Sequence, residues 1–205
     1  PMVHVDFHEQ GYNSPYYFAP AAEPYHYAIT DWQRELQTMI GQNHASYFDQ
    51  NNWLYFTREV FDLFYPSYGD TWPTFNGAIG MTYEQAGHSF AGLGVLTEEG
   101  DTLTLYDRMI HHATSGLSTV ETIVNEKERV LEEFQKYFDT TRNNGSGSYK
   151  TFVVKRNSNP DNASRLLQYL IAQKIEVHEA VNEVRASGFD YQSGQVGRVT
   201  IEKGD

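Results

Sequence analysis

The stretch FYPSYGDTWPTFNGAIGMTYEQAGH, residues 64–88, combines a constrained loop with a buried strand. Its first part, residues 65–71, is rich in Pro, Gly, Ser and Asp, which is typical of a loop with tight turns. Its second part, residues 77–83, is small and apolar, and this pattern predicts a strand buried on both faces within a mixed sheet. The predicted strand ends on Glu84. A carboxylate in that place either carries chemistry or simply emerges into solvent, and the stretch alone favours neither alternative.

A second polar cluster lies at the start of the chain, where MVHVDFHE alternates apolar and polar residues from position 2 to position 9. This period of two predicts a strand. His4, Asp6 and His8 therefore share one face of that strand, while the apolar residues between them share the other. His8 lies where the strand ends, so it is the second candidate for a functional side chain.

The order of these motifs resembles the C-terminal half of a zinc carboxypeptidase catalytic domain of the carboxypeptidase A-like family. In that family a lone distal histidine is the third zinc ligand, and a tyrosine follows in a Tyr-Pro-x-Ser-Gly-like loop. A glutamate in a Thr-aromatic-Glu strand end is the general base. His8, Tyr65 (in FYPS) and Glu84 (in TYE) occur here in that order. The resemblance extends over roughly residues 1–140.

The resemblance implies a zinc-dependent metallocarboxypeptidase that hydrolyses peptide bonds in a peptide or protein substrate. It implies that His8 binds Zn²⁺, that Glu84 is the catalytic base, and that Tyr65 binds substrate and assists catalysis. It also implies a mixed-sheet α/β domain, present here in part, in which His8 and Glu84 lie close together. One departure is at position 9, where the family has Ser or a similarly small residue. This chain has Glu9 there, which we expect to lie near a bound substrate group.

Two zinc ligands that the family takes from an H-x-x-E motif are missing from this sequence. None of the eight histidines is followed three positions later by Glu, and no H-E-x-x-H motif occurs. A catalytic zinc needs three protein ligands and one open position. Because the chain opens at Pro1 directly before the matching strand, we expect a piece of a longer protein that is inactive by itself. The alternative is a protein that has lost catalysis.

Two other functions remain open. The first is a non-catalytic module whose Tyr-rich, acidic surface binds carbohydrate or a partner protein, with His8 and Glu84 as structural residues. The second is a local metal site made by His4, Asp6 and His8. Residues two apart on a strand are separated by about 6.5–7 Å, which is too far for neighbouring pairs to share a metal without bending.

Composition restricts the class of partner. The net charge of −12 argues against nucleic acid or an anionic membrane surface, because phosphate groups are bound by an excess of Lys and Arg. The absence of cysteine excludes disulfides and thiolate metal sites. No stretch approaches about 18 uninterrupted apolar residues, so no membrane-spanning segment is predicted. We expect a secreted or periplasmic protein.

The sequence predicts two units joined by a linker. Residues 1–141 form the carboxypeptidase-like part, and residues 142–148, RNNGSGS, form the linker. In the first unit we predict a helix at 31–48, started by a capping box of Thr30 and Gln33. We also predict a mostly helical segment at 103–138 with a break at 115–116.

We predict that residues 149–205 are the start of a small and incomplete second α/β domain. The pattern predicts a helix at 160–174 and three strands, at 149–154, 175–180 and 197–201.

Overall fold

The computed structural model of the chain describes residues 1–87, 91–144, 149, 151–156 and 159–205. It is a mixed α/β protein that divides into two compact units, Pro1–Asn143 and Asn144–Asp205. The predicted α/β class is therefore confirmed, and each unit is described by itself.

A four-stranded mixed sheet organises the first unit. Its strands are β1 (Val3–Gln10), β2 (Tyr16–Tyr17), β4 (Tyr55–Phe56) and β6 (Ile79–Ala86), in the order β1-β6-β2-β4. β1 runs parallel to β6, β2 runs antiparallel to β6, and β2 runs parallel to β4. Two smaller pairs complete the unit: β3 (Ala22–Tyr25) with β5 (Asp62–Leu63), and β7 (Gly94–Leu96) with β8 (Thr102–Thr104).

β6 is the central strand, and its small apolar residues are buried along nearly the whole length, as the sequence predicts. The predicted end of this strand is wrong. β1 continues two residues beyond His8 and β6 two residues beyond Glu84, because Gln10 pairs with Ala86. His8 and Glu84 therefore lie inside a paired ladder, which holds their backbones more firmly than a strand end would.

Two of the helices described in the first unit begin at capping boxes. α1 (Asp31–Asn51) starts at the predicted capping box of Thr30 and Gln33, which is confirmed. α2 (Thr71–Thr74) is a single turn, and α3 (Leu105–Asn125) and α4 (Lys127–Asn144) follow. The predicted helix break at 115–116 is wrong, since the break falls at Glu126. Gly116 stays inside α3, where it faces the ring of Phe7.

The core lies between α1 and the sheet. Leu36, Ile40 and Phe48 of α1 pack with apolar residues of β6 and with an aromatic cluster around Tyr16 and Phe18. Tyr16 and Phe18 are almost fully buried, and their rings contact Phe48 at centroid distances of 5.0 and 5.2 Å. Large aromatic bodies thus supply much of the buried area in a chain of modest apolar content.

Side chains of α1 also donate hydrogen bonds to backbone carbonyls in and just before β6 and at the end of α2. Gln33 Nε2 donates to the carbonyl oxygens of Thr74 and Ala78, at 2.8 and 2.9 Å. Gln37 Nε2 donates to the Gly80 carbonyl at 2.8 Å. Because buried backbone carbonyls need partners, these two amides satisfy three of them and attach α1 to this part of the unit.

The second unit contains α5 (Pro160–Ala172) and a hairpin of β9 (Val184–Asp190) and β10 (Gln195–Ile201). The predicted helix and the last predicted strand are confirmed. The other two strand predictions are wrong: residues 175–180 form no strand, and neither do the described residues of 149–154. Among the residues of this unit that the structure describes, none is buried.

The predicted linker is helical where the structure describes it, since α4 continues through Asn144, and its residues 145–148 lie outside the described residues. The predicted identities of the two domains stay predictions. Within the described ranges, no helix is long and apolar enough to cross a membrane.

Candidate functional site

The register between β1 and β6 brings the two predicted strand-end side chains together. His8 pairs with Glu84, and Asp6 pairs with Thr82. Side chains of paired residues in neighbouring strands project from the same face of the sheet. These four side chains therefore form one polar face, while Phe7 and Tyr83 pack edge-to-face on the opposite side at 5.5 Å.

The His8 imidazole lies between two carboxylates. Its Nδ1 is 3.5 Å from Glu84 Oε1, and its Nε2 is 3.6 Å from Asp6 Oδ2. The His8 side chain is 57% exposed, whereas that of Glu84 is 8% exposed. The site thus consists of an accessible imidazole above a buried carboxylate, and the expected proximity of His8 and Glu84 is observed.

Burial changes the chemistry of Glu84. Its Oε2 is buried and has no hydrogen-bond partner among the described residues. Burial raises the pKa of Glu84 above the ordinary glutamate value; His8 opposes this rise, while Asp6 and Asp70 add to it. A carboxylate with a raised pKa and a free oxygen is a stronger proton acceptor than an exposed one, as a general base requires.

The loop that carries Tyr65 is attached to β6 through Asp70. Thr82 Oγ1 donates to Asp70 Oδ2 at 2.9 Å. Thr74 Oγ1 donates to the Asp70 carbonyl at 2.8 Å and accepts from the Gly80 amide at 3.1 Å. Asp70 itself is buried, and desolvation raises its pKa. These bonds place the loop over the face that carries His8 and Glu84.

Tyr65 lies on the surface of that loop. Its side chain is 55% exposed, and its ring contacts the ring of Tyr68 at 5.4 Å. Within the described part of the chain, Tyr65 makes no hydrogen bond with His8 or Glu84. Tyr65 therefore lies on the loop that Asp70 attaches to β6, but its hydroxyl does not reach the pair of His8 and Glu84.

Glu9 lies away from the polar pair. Because successive residues of a strand alternate, its side chain leaves the sheet opposite to that of His8. Glu9 Oε1 is 3.8 Å from Nη1 of the buried Arg108, which also donates to the Gly92 carbonyl. Glu9 thus has an ion-pair partner of its own, and the structure does not bring it to the expected substrate position.

The described residues do not complete a zinc site. No group of three or more His, Asp or Glu side chains in the described ranges could hold a metal ion. His4, Asp6 and His8 do not form such a group among the described residues, and the local metal site stays a prediction. His8 is one imidazole ligand with Glu84 beside it, and a catalytic zinc would need further ligands from elsewhere.

Two residues of this region were not selected from the sequence as parts of a site with His8 and Glu84. The sequence indicates Asp6 only as a possible metal ligand and Asp70 only as part of a loop. The period of two places Asp6 on the same strand face as His8, so the contact between Asp6 and His8 could be predicted from the sequence. The hydrogen bond from Thr82 to Asp70 depends on how the loop folds back, and no local pattern indicates it.

Comparison of the chain with protein-family models, with curated proteins and with solved structures finds no match.

Proposed function

We propose that this chain is the C-terminal part of a zinc-dependent metallocarboxypeptidase-like domain that hydrolyses peptide bonds. The observation that supports this most is the contact between His8 and Glu84, which are distant in sequence and 3.5 Å apart on neighbouring parallel strands. The first two zinc ligands, from an H-x-x-E motif, lie outside these 205 residues in this proposal. The substrate is a peptide or protein in a secreted or periplasmic setting.

The chain's own side chains have separate roles in this proposal. Glu84 accepts a proton from the attacking water and passes it to the leaving amine, which suits a buried carboxylate with a raised pKa. His8 is the single imidazole ligand that this chain contributes. Tyr65 donates a hydrogen bond to bound substrate from its exposed position on the loop. Glu9, paired with Arg108 on the opposite face, has no role in the proposed site.

A non-catalytic binding module is the second candidate, and one observation favours it. The loop and the turn after it expose four large aromatic side chains: Phe64, Tyr65, Tyr68 and Trp72. Exposed aromatic clusters are common at recognition surfaces for peptides and carbohydrates. In this alternative the same surface binds its ligand without turnover.

The proposal is tested in the longer protein that contains this chain together with the H-x-x-E residues. Release of C-terminal amino acids from peptides and zinc content are measured for Glu84→Gln, His8→Ala and Tyr65→Phe. Glu84→Gln should lose about 10²–10⁴-fold in kcat and keep its zinc, because the amide keeps the shape but accepts no proton. His8→Ala should lose zinc as well as activity. Tyr65→Phe should lose less, on the order of 10–100-fold.

Glu98→Gln is the matched control, because Glu98 is an exposed glutamate outside this face. It should retain the activity and the zinc of the unchanged protein. Near-normal turnover in Glu84→Gln would reject the catalytic role. Retained peptide or carbohydrate binding without any turnover in the unchanged protein would support the binding module instead.

A further inference from the structure

The inner face of α3 is polar, which is unusual for a helix that packs on a globular core. The buried residues of α3 all carry polar side chains: Arg108, Ser115, Ser118, Thr119 and Thr122. Three of these side chains form hydrogen bonds with the sheet, its flanking loop or α1: Ser115 with Tyr16, Thr119 with Tyr83, and Ser118 with His44. Hydrogen bonds therefore hold much of the inner face of α3 in place.

The outer face of α3 is apolar, and we call it the α3 stripe. At 100° per residue, the stripe spans about 100° of arc, and every α3 residue inside this arc is apolar. Tyr106 and Leu117 are 70% and 72% exposed, and Val120 and Val124 are each 58% exposed. The stripe consists of Tyr106, Met109, Ile110, Ala113, Leu117, Val120 and Val124. An apolar arc of this width normally faces a core, so the stripe marks a surface that another apolar face covers.

We propose that the α3 stripe is the interface of a homodimer, in which α3 of a second copy packs against it in antiparallel orientation. Stripe positions 106, 110, 113, 117, 120 and 124 are separated by steps of four and three, as in the seam of a coiled coil. The series of steps is the same from either end. A two-fold axis level with position 115 therefore sets each of these residues opposite another one. This inference does not rest on the proposed function.

The sizes of the stripe side chains fit the antiparallel orientation. A larger side chain faces a smaller one in each opposed pair: Tyr106 with Val124, Ile110 with Val120, and Leu117 with Ala113. Facing positions that alternate large and small residues fill an interface without voids. A parallel pair would set Tyr106 against Tyr106 and Ala113 against Ala113, which crowds one level and leaves a gap at the other.

The charge distribution also fits a second copy. The chain carries a net charge of −12, but the α3 stripe has no charged residue, so pairing of two stripes brings no like charges into the centre of the contact. Glu121, at the margin of the stripe, accepts hydrogen bonds from Asn43 and Tyr47 of α1, both at 2.9 Å. A helix that lies on a lipid surface typically carries several Lys and Arg residues on its polar face, whereas α3 has only the buried Arg108.

The area of the α3 stripe is close to what a weak specific dimer needs. The stripe extends from position 106 to position 124, about 27 Å at 1.5 Å per residue. Half of the lateral surface of a helix of this length, about 11 Å in diameter, is about 470 Å². Two copies would bury about 900 Å², near the lower limit of about 1,000 Å² for specific interfaces. We therefore expect a dissociation constant in the micromolar range, about 1–100 μM.

Sedimentation equilibrium of the 205-residue chain, from about 1 to about 500 μM, measures this dissociation constant. Leu117→Glu should raise it about 100-fold or more, because the dimer would bury two carboxylates in an apolar contact. Leu117 is exposed in a single copy, so the variant should keep its fold, which circular dichroism checks. Leu96→Glu is the matched control, an exposed leucine of β7 with the same charge change, and it should dimerise like the unchanged chain.

A monomer at every concentration would overturn the proposal. So would equal dissociation constants for Leu117→Glu and the unchanged chain.

Disulfide cross-linking tests the orientation of the two helices, and the absence of cysteine from the sequence makes this test clean. In the antiparallel dimer, a mixture of Tyr106→Cys and Val124→Cys chains should form covalent dimers of one chain of each kind under mild oxidation. Either variant alone should form few, because its two cysteines lie about 27 Å apart along the helix, far beyond the Cα separation of about 7 Å that a disulfide spans. Efficient cross-linking of each variant with itself would indicate parallel helices and overturn the proposed arrangement.

Two further measurements distinguish a second copy from other occupants of the α3 stripe. The unchanged chain should not co-sediment with phosphatidylcholine vesicles, and the longer protein should dimerise through the same stripe, again sensitive to Leu117→Glu. Vesicle binding that Leu117→Glu abolishes would assign the stripe to lipid. Loss of the dimer in the longer protein would assign it to a segment of that protein. Either result would overturn the proposal, and neither bears on the roles of His8 and Glu84.

Discussion

At the scale of single residues, Glu84 lies in a buried position where its ionised form costs free energy. Glu84 lies on β6, which pairs with β1 and β2, and its side chain is buried. Among the described residues its Oε2 has no hydrogen-bond partner, and Asp6 and Asp70 are two other carboxylates nearby. His8 offsets only part of this cost, since burial is the largest cause of the raised pKa. A buried carboxylate in this position lowers the stability of the fold. Carboxylates with a raised pKa occur often at functional sites, so Glu84 is a candidate for proton transfer.

Replacement of Glu84 by Gln should stabilise the fold at neutral pH. Because the folded-state pKa of Glu84 is raised, the native chain binds more protons than the unfolded chain between the two pKa values. Stability from this group is therefore present below the ordinary glutamate pKa of about 4.3, and it is lost as pH rises through the raised value. Because glutamine does not ionise, Glu84→Gln removes this loss of stability at high pH.

Urea denaturation of Glu84→Gln and the unchanged chain at several pH values measures this difference. The variant should have the larger free energy of unfolding near neutral pH, and the difference should shrink toward acid pH. Glu98→Gln, at an exposed position, should follow the unchanged chain throughout. A Glu84→Gln chain that is less stable at neutral pH would show that the carboxylate stabilises the fold.

At the scale of elements, β6 holds the loop through a glycine that permits a close approach. A Cβ atom added at Gly80 would lie 1.8 Å from the Asp70 carbonyl oxygen and 2.5 Å from Thr74 Oγ1. The nearer atom belongs to the backbone, so no side-chain rotation relieves the overlap. The loop that carries Tyr65 and Asp70 thus depends on the absence of a side chain at position 80.

Gly80→Ala should destabilise the first unit by about 2 kcal/mol or more, because it forces backbone movement in a well-packed region. Gly94→Ala is the matched control, since Gly94 is a strand glycine of the same unit whose added Cβ would meet ordinary contacts at 3.7 and 3.8 Å. Equilibrium denaturation of both variants measures the effect. Equal stability of Gly80→Ala and Gly94→Ala would mean that the loop moves away at little cost.

At the scale of the whole first unit, a buried polar network joins α1, α3 and β6. His44 of α1 is fully buried, with Nδ1 2.9 Å from Ser118 Oγ and Nε2 3.5 Å from Thr119 Oγ1. Thr119 Oγ1 also lies 2.7 Å from the Tyr83 hydroxyl of β6. Burial lowers the pKa of His44 to about 3, so its ring is neutral in the folded protein. The network closes only when all three elements are in place.

The neutral state of His44 predicts a loss of stability in acid. The lowered folded-state pKa means that the unfolded chain binds one more proton below about pH 6.5, and stability falls from there toward about pH 3. The limiting slope for one proton is about 1.4 kcal/mol per pH unit. In His44→Gln this slope should decrease by the contribution of one proton, which is at most about 1.4 kcal/mol per pH unit. It should not vanish, because burial also lowers the pKa values of His111 and His112.

Thermal or urea unfolding between about pH 4 and pH 7 gives this slope. His178→Gln is the control, because His178 is exposed and its replacement should leave the slope as it is. An unchanged slope in His44→Gln would show that the ring of His44 accepts a proton in the folded state.

Local patterns in the sequence predicted much of the first unit and the types of residue in its site. The alternation in residues 2–9 placed Asp6 and His8 on one face, and the capping box at Thr30 began α1, because both depend on neighbours a few positions away. The same local patterns misplaced the helix break. They also predict strands at 149–154 and 175–180, where the described residues form no paired strand. A strand exists only with a partner, and an apolar run does not specify its partner.

The tertiary structure alone decided the contacts that assemble the candidate site. The alternation in β1 predicts which face of the strand His8 occupies. The alignment of His8 with Glu84 depends on the register between two strands far apart in sequence. The position of Gly69 against Asp6 depends on how the loop folds back onto β1. Register and loop docking are set by non-local packing, since slipping β1 by one residue would move every side chain to the other face. The sequence by itself therefore determined which residues are available, and packing determined that His8, Asp6 and Glu84 meet.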